Sequence, residues 1–157
     1  MSTPAPIPPA ALWLGLAGLI PFYAAALAAA APDPAIARLA LASFAIYAAV
    51  ILSFLGGARW GLELARAGDA PSLRRLAFSV APSIAGWALA IAAMAYPFAP
   101  GLAGGFAALF AVQYVWDAAA GRERLAPSWY PNLRQILTSG VVLACVILPF
   151  ARILGRG

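Results

Sequence analysis

Residues 39–58 read LALASFAIYAAVILSFLGGA, a run of twenty uncharged residues between Arg38 and Arg59. A helix of this length rises about 30 Å, which matches the thickness of the hydrocarbon core of a bilayer. Apolar side chains occur on every face of such a helix, so water would solvate it poorly. The run therefore predicts a transmembrane helix, and the same criterion can be applied to the rest of the chain.

The composition of the whole chain agrees with this prediction. Of its 157 residues, 64% are hydrophobic and 10% are charged, and the mean hydropathy is +0.90. Soluble domains carry about 25% charged residues. The surface of this chain must therefore face lipid rather than water.

Charges and turn signals divide the chain into five apolar segments. The forty-one residues between Arg75 and Asp117 would form about 61 Å of helix, enough for two crossings. A turn rich in proline and glycine at residues 96–101 separates these crossings. The predicted fold class is all-α: a polytopic integral membrane helical bundle in a single domain, residues 1–157, with spans at about 10–31, 39–58, 76–96, 101–117 and 135–153.

The first segment admits a second interpretation, a secretory signal peptide cleaved after the small residues Ala28-Ala29-Ala30. Against cleavage, no basic region precedes the apolar run, and the run is longer than the core of an ordinary signal peptide. We therefore expect the segment to be the first span. Cleavage would leave four spans.

The basic residues indicate the orientation in the membrane. All ten are arginine, and with five spans seven of them lie on the side of the N-terminus and three on the other. Basic residues concentrate in cytoplasmic loops. We expect a bacterial inner membrane, with the N-terminus in the cytoplasm and the C-terminus in the periplasm. The positive charge is thus assigned to orientation, and no nucleic-acid partner is expected. The seven are Arg59, Arg66, Arg74, Arg75, Arg122, Arg124 and Arg134; the three are Arg38, Arg152 and Arg156.

The sequence lacks the side chain that catalysis and metal binding use most often. It contains no histidine, the commonest proton shuttle and metal ligand. Its single cysteine, Cys145, lies in an apolar run and has no partner for an internal disulfide. We expect a protein that is not an enzyme, with no catalytic residues, no metal and no cofactor.

Features inside the spans predict how the helices pack. Gly57 with Gly61, and Gly101 with Gly105, are GxxxG pairs, which let helix backbones approach closely in lipid. We expect them to pack helices within the bundle; homodimerisation is the alternative. Pro21 and Pro82 are expected to kink their helices, and the hydroxyl of Tyr47, near the bilayer centre, needs a hydrogen-bond partner.

Three separate segments bring polar residues to the predicted cytoplasmic face. A carboxylate at this depth is costly unless it is paired, and two arginines, Arg59 and Arg134, are available to Asp117. One interpretation is a structural ion pair that clamps the bundle. The other is a site for an anion or a lipid headgroup. The cluster comprises Arg59, Trp60, Glu63, Gln113, Asp117, Trp129 and Arg134.

Four stretches of the chain resemble the transmembrane protein 69 family. The most specific is FLGG-x-x-WG at residues 54–61, within YAAVILSFLGGARWG at 47–61. The others are Ile20-Pro21-Phe22, SVAPSIAGW at 79–87 and LRQILT at 133–138. The resemblance covers nearly the whole chain. It implies a five-span membrane protein, and it supplies no agreed activity or catalytic residues.

Together these features favour a non-enzymatic inner-membrane protein that acts by interaction, as an accessory, assembly or scaffold component of a membrane complex. Its expected partners are membrane lipids and either a membrane protein or a second copy of the chain. The alternative is a small carrier or binding protein for an anionic lipid or metabolite. A membrane enzyme is a more distant third.

Overall fold

Six helices make up the computed structural model, which describes residues 5–97, 99, 101–122 and 125–154. They are α1 Pro9–Ala17, α2 Ile20–Ala28, α3 Pro34–Ala67, α4 Leu73–Ala95, α5 Leu102–Arg122 and α6 Tyr130–Leu154. Five stretches are long and apolar enough to cross a membrane: Pro9–Ala28, Pro34–Ala67, Leu73–Ala95, Leu102–Ala119 and Tyr130–Ile153. The predicted all-α fold with five membrane helices is confirmed. Of the residues used in the predictions, Phe98, Pro100, Arg124, Arg156 and the Arg122 side chain lie outside the described part.

The first span consists of two helices, α1 and α2, which meet at Gly18 and Leu19. Pro21 has no N–H group, so the carbonyl of Ala17 loses the donor that a continuous helix would supply. The Tyr47 hydroxyl donates to the Gly18 carbonyl at 2.9 Å and thereby binds α3 to this break. Near Pro21, where a kink is expected, the regular helix is broken at Gly18 and Leu19, although both residues keep helical backbone angles; α4, in contrast, continues as one helix through Pro82.

Helix α3 is much longer than the apolar run that predicts it. The Asp33 side chain accepts from the backbone N–H of Ala35 at 2.8 Å, and Pro34 follows in the first helical position. The helix ends at Ala67 and is followed by Gly68, whose φ of 54° favours glycine. Its 34 residues extend about 51 Å, beyond a hydrocarbon core of about 30 Å. Charges mark the edge of the lipid, whereas caps mark the ends of the helix.

The long α3 is packed against α2, α4 and α5, and α6 contacts α1, α2 and α5. Phe22 of α2 occupies the centre of this arrangement and is buried. Its ring meets those of Phe44 and Phe110 edge to face, with centroids 5.3 Å and 5.8 Å apart. The Tyr47 ring lies 4.9 Å from it in the same geometry. The core therefore joins the broken first span to α3 and α5.

The close helix contacts differ from those predicted from glycine spacing. A Cβ built on Gly56 would collide with the backbone carbonyl of Ser79 in α4, and one on Gly105 would lie 3.2 Å from Leu89. Nothing lies within 4 Å of a Cβ built on Gly57 or Gly61. The prediction that Gly57 and Gly61 pack within the bundle is therefore wrong, because they face outward, and Gly56 makes the contact with α4 instead.

Gly101, which was predicted to pack helices together with Gly105, has another role. Gly101 adopts a φ of 99°, which other residues rarely adopt, and no atom lies within 4 Å of its built Cβ. Its carbonyl accepts from the N–H of Gly105 at 2.7 Å at the start of α5. Gly101 is therefore a turn residue, and the packing role expected of it is wrong.

We predict that Gly56→Ala destabilises the protein by about 1 to 3 kcal/mol, because the added methyl group meets backbone that cannot turn aside. Gly57→Ala is the matched control, since it lies next in the chain and its Cβ meets open space. Thermal unfolding in detergent or bicelles would measure both. Equal stability of the two variants would contradict the tight contact between α3 and α4.

Candidate functional site

The polar residues predicted from three segments meet at one end of the bundle. The second half of α3 carries Arg59, the end of α5 carries Gln113 and Asp117, and the start of α6 carries Arg134. All four side chains are buried, with exposed fractions of 9% or less. We call these four residues the polar cluster.

Asp117 is the centre of the polar cluster and has no exposed surface. Its Oδ2 accepts a hydrogen bond from Arg134 Nε at 2.8 Å, which is also a salt bridge. Its Oδ1 accepts from Gln113 Nε2, one helical turn earlier, at 3.2 Å. A carboxylate and a guanidinium thus compensate each other across α5 and α6. Of the two arginines left open by the sequence, Arg134 is the one bonded to Asp117.

Arg59 lies beside this pair without being the direct partner of Asp117. Its guanidinium carbon is 4.3 Å from the centre of the Trp116 ring, a cation–π geometry. The aromatic side chain that holds Arg59 is therefore Trp116, which sequence reasoning missed, rather than its neighbour Trp60. Trp116 immediately precedes Asp117, and that adjacency was the available signal.

Glu63 makes its hydrogen bonds at the junction of α3 and α4. Its carboxylate accepts from Arg66 Nε and Nη2 at 3.0 and 2.7 Å and from the backbone N–H of Ser72 at 2.8 Å. Arg75 Nη1 lies 3.9 Å away. Glu63 therefore closes the loop between two spans and does not join Asp117. The three-residue spacing from Glu63 to Arg66 signalled this pair in the sequence.

The two predicted tryptophans lie at the edge of this region. Trp60 is 40% exposed on α3, and Trp129 packs edge to face against Tyr130, with ring centroids 6.3 Å apart. Partly exposed indoles near the ends of spans are typical of residues at the membrane interface. They frame the polar cluster rather than form its interior.

A small cavity adjoins the polar cluster on the side of the first span, and sequence reasoning did not predict it. Its volume is about 150 Å³, and Arg134 and Thr138 of α6 are among its lining residues. Both side chains are buried, at 6% and 7% exposure. Within the described protein, Arg134 Nη2 and Thr138 Oγ1 have no hydrogen-bond partner. We call this space the Arg134 cavity.

The described residues contain no group of three or more histidine, cysteine, aspartate or glutamate side chains that could hold a metal ion.

Comparison with known proteins places the chain among membrane proteins of unknown function. Residues 7–150 match the family described as "Protein of unknown function (DUF3429)". Over 140 residues, 88% of the chain, it is 36% identical to "Transmembrane protein 69" of Xenopus tropicalis, covering 53% of that protein. Over 82 residues, 52% of the chain, it is 43% identical to the Mus musculus protein of the same name, covering 33% of it. The chain thus spans about half the length of the frog protein. No solved structure matches it.

We predict that Asp117→Asn and Arg134→Gln each destabilise the bundle by about 3 to 5 kcal/mol, since each leaves one buried charge uncompensated. The double variant should lose less than the sum of the two, because neither charge remains. Denaturant unfolding of the four proteins in bicelles measures this coupling. Strictly additive losses would mean that Asp117 and Arg134 do not stabilise one another.

Proposed function

This chain belongs to the DUF3429 family, a family of transmembrane proteins of unknown function, and we propose that it acts by interaction. In this proposal it is a non-enzymatic accessory, assembly or scaffold component of a membrane complex. The observation that supports this role most directly is a helix-packing motif that its own bundle leaves unused.

Most glycines inside the spans are occupied by contacts within the chain. A Cβ built on Gly15, Gly56, Gly86, Gly105 or Gly140 would lie within about 3.2 Å of an atom of another span. Gly57 and Gly61 have no such neighbour within 4 Å. In lipid, a GxxxG pair lets a second backbone approach, and helices associate there largely through such contacts.

The residues on either side of Gly57 and Gly61 shape that surface for a helix. Phe54, Gly57, Gly61 and Leu64 follow one another at intervals of three, four and three residues, so they share one face of α3. Phe54 is 69% exposed and Leu64 is 44% exposed. Two large side chains thus bracket two glycines, leaving a shallow seat between them. We call these four residues the Gly57 face and propose that a transmembrane helix of another protein binds there.

The buried charges support a non-enzymatic role. Asp117 is bonded to Arg134 and Gln113, and Glu63 is bonded to Arg66 and Ser72. A general acid or base must reach a substrate with its proton-bearing atom. These carboxylates instead hold pairs of helices together, so the chemistry at both positions is that of a scaffold.

We predict that Gly57→Ile with Gly61→Ile removes the partner without unfolding the chain, because the added side chains fill the seat and meet open space in the bundle. Gly104→Ile is the matched control, since Gly104 is also exposed and also has open space at its Cβ. The measurement is crosslinking from a photoreactive residue at Leu64 in native membranes, followed by mass spectrometry. Retained crosslinks in the double variant would contradict the proposal.

The compartment and orientation are also part of the proposal. The similar proteins described above come from a frog and a mouse, and for this chain we propose a bacterial inner membrane. Arg59, Arg66, Arg74 and Arg75 cluster around the end of α3 and the start of α4. The excess of basic residues on this side supports a cytoplasmic location for it and for the N-terminus.

We predict that a cysteine at Ala70 is shielded from a membrane-impermeant maleimide in spheroplasts, whereas one at Ala99 is labelled. Both residues are exposed in turns at opposite ends of α4, and Cys145→Ala supplies a cysteine-free background. Permeabilising the membrane should expose Ala70→Cys. Labelling with the reverse pattern would invert the proposed orientation.

A further inference from the structure

We propose that the groove between α4 and α5 binds one acyl chain of an anionic phospholipid, whose phosphate is held at Arg74. The groove has a volume of about 420 Å³, and we call it the α4–α5 groove. Phe78 of α4 and Val112 of α5 line it and are 57% and 68% exposed, so it opens on the outer surface of the bundle. The proposal does not depend on the accessory role, which rests on a face of α3.

The first observation is the length of the groove along the helices. Arg74, Phe78, Ala81 and Ala85 line it from α4 at intervals of four, three and four residues, so they form one face of that helix. From Arg74 to Ala85 this face rises about 16 Å at 1.5 Å per residue. One leaflet of a hydrocarbon core about 30 Å thick measures about 15 Å. The groove is therefore as long as the space that one acyl chain occupies in a leaflet.

The second observation is the depth of the two ends of the groove. Arg74 is the second residue of α4, whose 23 residues rise about 34 Å, slightly more than the hydrocarbon core. Arg74 therefore lies at the boundary of the hydrocarbon, beside the layer of lipid headgroups, whereas Ala85 lies near the middle of the helix. Trp116 also lines the groove, close to the end of the span Leu102–Ala119, and indoles concentrate at the membrane interface. The groove thus runs from the headgroup layer to the middle of the bilayer.

The third observation is the contrast between Arg74 and the rest of the lining. Apart from Arg74, Gln113 and Trp116, the lining side chains are apolar, and Gln113 is bonded to Asp117. Arg74 is exposed, so a ligand outside the bundle can reach it. It takes part in none of the ion pairs among the described residues, unlike its neighbour Arg75. Since a guanidinium binds phosphate oxygens through paired N–H donors, a molecule with a phosphate and an apolar chain suits both parts of the groove.

The surrounding charge favours an anionic phospholipid over a zwitterionic one. Arg66 and Arg75 lie at the same end of α4 as Arg74, and their side chains are partly exposed. Each basic residue near the membrane surface attracts anionic lipids, whereas the cationic group of a zwitterionic headgroup is repelled by the same arginines.

A helix of another chain suits the α4–α5 groove less well than an acyl chain does. A helix about 10 Å across and about 16 Å long occupies more than about 1,000 Å³, well over twice the volume of the groove, which is about 420 Å³. A helix would therefore rest on the rim, whereas a single acyl chain can enter.

The test uses the full chain in phosphatidylcholine nanodiscs and two photoreactive lipids with identical acyl chains. One probe is a phosphatidylglycerol and the other a phosphatidylcholine, and each carries a diazirine midway along one chain. We expect the phosphatidylglycerol probe to label segments 78–85 and 109–116 about fivefold more strongly than the phosphatidylcholine probe, because one arginine favours the anionic headgroup by about that factor. Mass spectrometry of the digested protein locates the labelled residues.

Two substitutions test the two ends of the lipid separately. Arg74→Gln should lower labelling by the phosphatidylglycerol probe to the level of the phosphatidylcholine probe. Arg75→Gln is its matched control, because Arg75 is the next residue and is exposed but does not line the groove. Ala81→Phe should abolish labelling of both segments by both probes, since the ring fills the groove. Ala88→Phe is its matched control, because Ala88 is also exposed on α4 and lies outside the lining. Thermal unfolding of each variant verifies the fold.

Four results would overturn the proposal. Equal labelling of the unmodified chain by the two probes would show that the charge of the headgroup is not recognised. Equal losses in Arg74→Gln and Arg75→Gln would replace a site at Arg74 by diffuse surface charge. Labelling spread evenly over the lipid-facing residues of all spans, and unchanged in Ala81→Phe, would mean that the groove holds no acyl chain of its own. No labelling of either segment would leave the groove to a protein partner or a second copy of the chain.

Discussion

A carboxylate without exposed surface, at the edge of a membrane, has to be compensated by the protein itself. Asp117 meets this requirement through Arg134 on one oxygen and Gln113 on the other. The cost of an uncompensated charge at this depth is several kcal/mol, so α5 and α6 are held in one register at this end. The position of Arg134, and with it the adjoining cavity, follows from that bond.

The same requirement applies to the backbone where helices are interrupted. Lipid supplies no hydrogen bonds, so carbonyls freed by a break have to be met by neighbouring helices. At the break between α1 and α2, the Gly18 carbonyl accepts from Tyr47, and further along the Tyr23 hydroxyl donates to the Gly140 carbonyl in α6. Two phenols thus connect the first span to α3 and α6. Gly18, at the break, also lines the Arg134 cavity.

Phe54 lines the mouth of the Arg134 cavity and also bounds the Gly57 face. The cavity is narrow and lies between helices, whereas the Gly57 face is shallow and lies on the outside of the bundle. A helix packed on Gly57 and Gly61 would therefore lie beside the mouth of that cavity.

The sequence by itself determined the class of the fold and the number of spans, because the length of an apolar run and the thickness of a bilayer are directly comparable. It also indicated that Asp117 requires an arginine, because an unpaired carboxylate at that depth in the membrane has a high free-energy cost. Only the tertiary structure decided between Arg59 and Arg134, and it also separated Glu63 from Asp117, because both choices depend on how helices rotate about their axes. The same rotation put Gly56 rather than Gly57 against α4, and it brought Arg134 and Thr138 to a cavity bounded by four other helices. Spacing along one helix defines a face, and the contacts between helices decide what that face meets.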